Sequence, residues 1–499
     1  MAGATSEATQ MFLQRTGLPS HATCRLGKTG LHVSRLGFGG YRLDAVTVAH
    51  DEALQQALRR GINLIDTSTN YGDGESEILI GRVLQALIGR REISRAAAVI
   101  VSKIGYVQGQ NLRLAHERET AGRPFPEMIK YMDGCWHCIH PEFLQDQLER
   151  SLSRLQLDRL DVLLLHNPEY FLSHMKQQRV PLAQARAEYY RRLAGAFRFL
   201  EEQAAAGKIG WYGISSNTFP QASAHEEFTS LTRVWEIAQK ISPQPHFAVI
   251  QFPANLFEAG AVFEKNQNEG RQTLLEFARS HDLGTLANRP LNAMAGQGMT
   301  RLADFETMPE GKKEFQKQIL ELAAVEQDFH LRLAPQLELE RKMPDHARLF
   351  HWAGQLQEGL HSFQDWAHWD HVKQYALEPQ TERTLHLLRN LADKAGAWVQ
   401  WENRFRQTLT TVINTLSAVY AAGVAEKSRQ LSAQLEQALP ALAESRTLSQ
   451  KALRVLLNTP GLDGVLLGMR RIHYVEDGLQ ALLAAPFLKV ESAYRLWKN

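Results

Sequence analysis

Residues 64–72 read L-I-D-T-S-T-N-Y-G, a short apolar run that stops at Asp66 and turns polar before Tyr71 and Gly72. A run of that length, closed by small polar residues, is consistent with a buried strand and its following turn. The strand is read as Leu64–Ser68, and the pattern recurs on both sides of it. Leu36–Gly40, Val99–Lys103, Val162–His166, Trp211–Ser215, Ala248–Phe252 and Gly284–Asn288 are further candidates, with Gly464–Leu467 far downstream. Helical patterns separate most of them, among them Asp51–Arg60, Glu142–Arg154 and Arg271–Ser280. In the last, Leu274, Leu275, Phe277 and Ala278 share one face. A helix over Leu448–Leu457, closed by Asn458-Thr459-Pro460-Gly461, precedes the eighth strand. Strands alternating with helices pair in parallel, and the economical closure is an α/β fold, a (β/α)8 TIM barrel. A doubly wound open sheet fits the alternation too, but no G-x-G-x-x-G follows the first strand.

The chain has 499 residues, against roughly 250 for one such barrel. The excess lies between strands seven and eight, a stretch rich in Leu, Gln, Glu and Ala. There Leu409, Val412, Ile413, Leu416, Val419 and Tyr420 recur at helical spacing, and five of nine tryptophans occur. Pro335, Pro344, Pro379 and Pro440 stand where helices should end. An inserted all-α subdomain follows, and the chain divides into an N-terminal extension (1–24), the barrel's first part (25–297), the helical insertion (298–445) and the barrel's last part (446–499). Leaving strand seven, the insertion would start at the face that carries barrel active sites.

A net charge of +2 offers no electrostatic reason for nucleic acid. No apolar run in the sequence approaches the roughly 20 residues of a membrane span. Cys24, Cys135 and Cys138 are too few for a disulfide framework and fit a reducing, cytoplasmic compartment. Cys135-Trp136-His137-Cys138 could be a redox pair or half a zinc site; the reading preferred is a segment shaping a substrate pocket, with no metal.

Asp66, Lys103 and His166 close strands two, three and four, and Tyr71 follows in the turn after strand two, so four reactive side chains meet at one barrel mouth. Reducing a carbonyl requires a proton for the developing alkoxide, which a tyrosine can donate. A neighbouring ammonium would lower the phenol's pKa, an aspartate would hold the lysine, and a histidine could orient the carbonyl oxygen. The hydride must come from a cofactor.

The segments L-G-K-T-G-L-H-V-S-R-L-G-F-G-G-Y (26–41), D-T-S-T-N-Y-G (66–72), V-S-K-I-G (101–105), L-L-L-H-N-P (163–168), W-Y-G-I-S-S-N-T (211–218) and V-L-L-G-M-R (465–470) resemble the successive signatures of the aldo-keto reductase family. The resemblance implies a catalytic tetrad of Asp66, Tyr71, Lys103 and His166, with Tyr71 as general acid. It implies a nicotinamide cofactor, NADPH/NADP+ with NADH as the alternative, bound by Gly39, Gly40, Asp66, Ser215, Asn217 and Gln251. Ser216 separates the usually adjacent Ser and Asn, which leaves the second carboxamide ligand open between Ser216 and Asn217. Asn288 and Arg289 stand where the family places an aromatic ring on the nicotinamide. Gly468, Arg470 and Arg471 resemble the site for the adenosine 2′-phosphate, and Asp477 the acidic residue beyond it, with Gly478 in place of the usual Asn. The expected function is a reductase of a small-molecule aldehyde, ketone or sugar. The alternative is a regulatory subunit that binds NADPH as a redox signal. A protein partner or self-association through the insertion is left open.

Overall fold

Eight parallel strands close on one another in sequence order: β1 (Leu36–Gly39), β2 (Leu64–Asp66), β3 (Val99–Ile104), β4 (Leu160–His166), β5 (Ile209–Ser215), β6 (Phe247–Pro253), β7 (Gly284–Asn288) and β8 (Gly464–Leu467), which returns to β1. The computed structural model describes residues 3–295, 298–305, 307–308, 311–343, 345–360, 362–363, 366–391, 396–487 and 489–497. The eight expected strands are present, and the (β/α)8 expectation is borne out. The helices between them are α1 (Val48–Arg59), α2 (Glu75–Gly89), α3 (Pro141–Leu155), α4 (Leu182–Ala205), α5 (Leu231–Ile241), α6 (Leu274–Ser280), α7 (Leu448–Leu457) and α8 (Ile472–Leu483). Helix α6 starts three residues later than its periodicity suggested. A capping box fixes its start, because the Thr273 hydroxyl accepts from Glu276 N while the Glu276 carboxylate accepts from Thr273 N.

Strand alternation sets what points inward. Leu64, Val101, Leu164, Val249 and Leu286 share one buried cluster. Two residues further along their strands stand Asp66, Lys103, His166, Gln251 and Asn288, which the period of two puts on the same inward side, nearer the C-terminal mouth. Leu26, Leu31 and Val33, in and beside the hairpin Thr23–Arg25/His32–Ser34, join that cluster where β2 and β3 begin and plug the other end. Gly213 is required inside β5, since a Cβ there would lie 1.6 Å from the Val249 carbonyl oxygen.

The first 24 residues do more than extend the chain. Ser6–Arg15 is a helix capped by Thr5, with Phe12 and Leu13 buried, and Thr9 Oγ1 accepts from His32 N at 3.0 Å. Ala4 N donates to Asp161 Oδ1 at 2.6 Å, tying this segment to the start of β4.

The chain divides into two compact units, Met1–Leu302 with Leu435–Asn499, and Ala303–Gln434. The boundary at 298 therefore moves: Asn292–Ala295 pairs with Gly298–Arg301 as a hairpin of the barrel unit. The second unit is helical, comprising Gly311–Asp328, Trp352–Gly359, Trp366–Val372, Glu378–Leu391 and most of Gly396–Ala438. Its core gathers Phe315, Leu322, Phe329, Phe350, Trp369, Trp398, Trp401 and Phe405. Trp401 Nε1 donates to Val325 O at 2.9 Å and Trp369 Nε1 to Ser417 Oγ at 2.8 Å, so both indoles keep a polar partner. Gly396–Ala438 is long and apolar enough, by length and composition, to cross a membrane, which exceeds what the sequence reading allowed. Its Trp398, Trp401, Phe405, Leu409, Val412 and Leu416 recur at helical spacing within the unit's own core.

Two of the prolines do not end helices as expected. Pro335 and Pro379 each follow a π-helical turn, Phe329–Leu333 and Lys373–Leu377, by two residues. The wider turn makes room for the pyrrolidine ring and leaves no i−4 hydrogen bond to lose, so the helical path continues. Pro440 does open a new short turn after Ala438, and Pro344 lies outside the described residues.

Candidate active site

Lys103 is fully buried within β3, and Asp66, at the end of β2, is 4% exposed. The Lys103 ammonium donates to Asp66 Oδ1 at 2.7 Å, to Asp66 Oδ2 at 2.8 Å and to the Thr67 carbonyl at 2.7 Å. These three contacts use all three of its N–H donors. Burial pushes Asp66 up and Lys103 down, each opposed by the other's charge.

Tyr71 begins the turn after β2, its ring centroid 4.7 Å from Lys103 Nζ. The expectation that the ammonium lowers the phenol's pKa does not hold. No N–H of Lys103 is left for the hydroxyl, and burial, with the Asp66 charge and Tyr41 beside it, holds Tyr71 well above its ordinary value. The phenol stays protonated and keeps its proton available to donate. His166 closes β4, its ring 5.8 Å from that of Tyr71 and 4.7 Å from that of Tyr106. Burial first, then the charges of Lys103 and His137, hold His166 well below the usual histidine range, so it is neutral.

The four residues expected to react are thus brought together, and a second set joins them. Gln251, on β6, donates from Nε2 to Asp66 Oδ1 at 2.8 Å. Its Oε1 accepts from Ser215 Oγ at 3.2 Å and from Asn288 Nδ2 at 3.3 Å. Asn288 Oδ1 is buried without a hydrogen-bond partner among the described residues. Ser216 turns away: its hydroxyl bonds Thr218 Oγ1 at 3.1 Å and Thr229 Oγ1 at 3.4 Å. The Asn217 side chain, half-buried, has no partner among the described residues. Gly39 pairs with Asp66 in register, and Gly40 N donates to the Asp66 carbonyl at 2.8 Å. A Cβ on Gly40 would meet that oxygen at 2.8 Å and Ser76 Oγ at 2.7 Å, so only glycine fits.

Two expected cofactor residues are committed elsewhere. Arg289 takes a left-handed backbone, φ 53°, and its guanidinium pairs with Glu258 at 2.8 Å instead of joining the cluster. Asp477 receives Thr447 Oγ1 at 3.1 Å, Ser449 Oγ at 2.5 Å and Gln450 Nε2 at 2.8 Å, which ties α8 to the first turn of α7 and occupies the carboxylate expected at the adenine. Gly468, Met469 and Arg470 lead from β8 to Arg471, which precedes the first residue of α8.

The C-x-x-C segment packs beside the site. Tyr106–Val107, Ile129–Met132 and Cys135–His137 form a small antiparallel sheet after β3. His137 Nε2 donates to the His166 carbonyl at 2.7 Å. Burial raises the Cys135 thiol and pushes Cys138 up to about 12, so neither is a thiolate. Among the described residues no three His, Cys, Asp or Glu side chains gather as metal ligands.

Sequence reasoning missed Glu169 and Ser68. Glu169, three residues beyond His166, is buried and accepts from Asn217 N at 2.7 Å through Oε1, while burial pushes its carboxyl up to about 7. Nothing local marked it. Ser68 lies 3.0 Å from His166 Nδ1, and its place two residues after Asp66 was a usable signal.

A closed parallel barrel thus carries a buried lysine–aspartate pair, a protonated tyrosine and a neutral histidine at its mouth. The sequence profile of the Aldo/keto reductase family matches residues 35–330, and the chain belongs to that family. It is 32% identical over 165 residues to L-galactose dehydrogenase of Arabidopsis thaliana, a match covering 32% of this chain and 42% of that protein. It is 30% identical over 148 residues to a putative voltage-gated potassium channel subunit beta of Schizosaccharomyces pombe, covering 29% and 36%. The chain thus spans less than half the length of these curated relatives. The structure of a Klebsiella pneumoniae aldo/keto reductase in complex with NADP and acetate aligns with a TM-score of 0.45 at 16% identity, over 95% of each chain.

Proposed function

We propose that the protein reduces the carbonyl of a small aldehyde, ketone or sugar, or oxidises the corresponding alcohol, with NADPH/NADP+ as the hydride carrier. The observation that carries this reading is the convergence of Asp66, Tyr71, Lys103 and His166 with the amide pair Gln251 and Asn288 at one mouth. Tyr71, kept as a phenol, donates the proton to the reacting oxygen. Lys103 stands against its ring as a fixed positive charge, and Asp66 holds that charge in place.

The residues fit a nicotinamide. A carboxamide needs both donors and acceptors, and the mouth offers Ser215, Gln251 and Asn288 Oδ1, which has no partner among the described residues. With Ser216 engaged by Thr218 and Thr229, Asn217 is the second carboxamide ligand. Gly39 and Gly40 leave bare backbone beside Asp66, and Gly468, Arg470 and Arg471 would receive the phosphates, the arginines favouring the 2′-phosphate of NADPH over NADH. When bound, the cofactor supplies the hydride.

A second reading, a cofactor-binding regulatory subunit whose helical unit engages a partner protein, draws on the likeness to the putative channel subunit. A complete set of reacting residues supports the enzyme. The test is NADPH consumption over a panel of aldehydes, ketones and sugars: turnover with at least one class supports the enzyme, and binding without turnover supports the regulatory subunit. The compartment is proposed to be the cytoplasm.

A further inference from the structure

β5 ends at Ser215, and the two residues after it take different roles. Ser215 Oγ meets Gln251 inside the barrel, and the strand's period of two turns Ser216 outward. There Ser216 Oγ meets Thr218 Oγ1 at 3.1 Å and Thr229 Oγ1 at 3.4 Å, and Thr229 Oγ1 meets the Tyr189 hydroxyl at 3.0 Å. All four residues are buried, so this hydroxyl cluster is closed off behind the strand. It leaves Asn217, one residue beyond the usual adjacent pair, to face the carboxamide. Asn217 is half-buried and stands in a turn past the strand's end, where the ladder no longer fixes its backbone.

The loop after β4 fixes it instead. Asn167, in a left-handed turn at φ 50°, donates from N to the Ser215 carbonyl at 2.7 Å. Two residues on, Glu169 Oε1 accepts from Asn217 N at 2.7 Å. The loop thus grips the chain on both sides of Ser216, whose own N donates to the Gln251 carbonyl at 2.9 Å. Glu169 is 3% exposed, and its carbonyl accepts from Leu172 N at 2.8 Å and Ser173 N at 3.2 Å, which anchors the backbone that carries the side chain. Its Oε2 is buried without a hydrogen-bond partner among the described residues. A carboxyl buried with one oxygen unmatched costs stability. The contact it makes is with the backbone of a cofactor-facing residue, whose N–H would otherwise need another acceptor.

We propose that Glu169 is a positioning residue for the nicotinamide: by holding Asn217 N it keeps the Asn217 side chain turned toward the carboxamide, and so makes up for the extra residue after Ser215. Glu169 itself touches neither substrate nor cofactor. The proposal rests on the reading of Asn217 as a carboxamide ligand. Protonated or not, a carboxyl keeps an oxygen that can accept from Asn217 N, and so does an amide. What the position requires is an acceptor at that reach.

The experiment is calorimetric titration of the full chain with NADPH and, separately, with 2′-phospho-ADP-ribose, which lacks the nicotinamide. Glu169→Met keeps the bulk and removes the acceptor. It should weaken NADPH by about 2- to 10-fold, the contribution of one neutral hydrogen bond, and leave 2′-phospho-ADP-ribose unchanged. Asn217→Ala should do the same, and the double variant should lose no more than either alone, because both remove one contact. Glu169→Gln should bind NADPH as the wild type does. If Glu169→Met does not fold, Glu169→Asp, which draws the carboxyl back by one methylene, takes its place with the same selective loss expected. Equal weakening of both ligands, losses that add in the double variant, or Glu169→Gln as weak as Glu169→Met overturns the proposal. Wild-type NADPH affinity in Glu169→Met beside a weakened Asn217→Ala overturns it too, and leaves the cofactor reading standing. Unchanged NADPH affinity in Asn217→Ala overturns the carboxamide assignment and the proposal with it.

Discussion

Replacing Lys103 by methionine keeps the bulk of the side chain in β3 and removes its charge. Asp66 would then retain one donor, Gln251 Nε2, in place of three contacts shared with the ammonium and its neighbour. Breaking a buried pair by deleting one partner costs about 3–5 kcal/mol, because a charge is left buried and unpaired. That cost has a pH signature. Burial already raises Asp66, and without Lys103 it rises further. A carboxyl whose folded value lies above its unfolded value of about 3.9 holds its proton more tightly when folded. Stability is therefore lost as pH rises from about 3.9 through the folded value. Lys103→Met should accordingly be most destabilised at high pH and recover as Asp66 protonates. Urea denaturation at pH 5.5 and pH 8 measures this. The variant should lose more against the wild type at pH 8, and Asp66→Asn in the same background should restore part of the loss. Equal losses at both pH values, with no restoration, would refute the buried ion pair.

Arg470→Ala should weaken NADPH about 10- to 100-fold and spare NADH, since a hydrogen bond to a charged group contributes about 1.5–3 kcal/mol; equal effects on both cofactors, read by fluorescence titration, would make Arg470 structural. Glu169, raised to about 7, costs stability progressively as pH rises from its ordinary value toward 7. Glu169→Gln should flatten that part of the stability profile between pH 5 and 7.5, and an unchanged profile would show that Glu169 is not the titrating group. Trp401→Ala removes a buried indole and its bond to Val325 O, and should destabilise the helical unit by about 3–5 kcal/mol; calorimetry showing an unaltered transition would contradict the packing described for it.

What was legible in the sequence was what period and position express. Val99, Val101 and Lys103 alternate along β3, and a polar residue after an apolar run is visible as a strand end facing the mouth. Asp66, His166, Gln251 and Asn288 follow the same logic. Less legible was which donors each group would find. Nothing in V-S-K shows that Lys103 meets three acceptors and has no donor left for Tyr71, because those acceptors come from the end of the preceding strand, β2. Asp477 and Arg289 matched by place in the chain, yet their partners, the first turn of α7 and Glu258, lie 27–30 and 31 residues away. Pro335 and Pro379 misled for a local reason, since a π turn is not written in periodicity.

The central claim is that Tyr71 delivers the proton. Its test is Tyr71→Phe, with turnover of the best carbonyl substrate and NADPH dissociation measured on the same preparation. Loss of the general acid should lower kcat by about 10²–10⁴-fold while NADPH affinity stays close to wild type, because the hydroxyl serves the substrate oxygen. Near wild-type turnover in Tyr71→Phe would contradict the account.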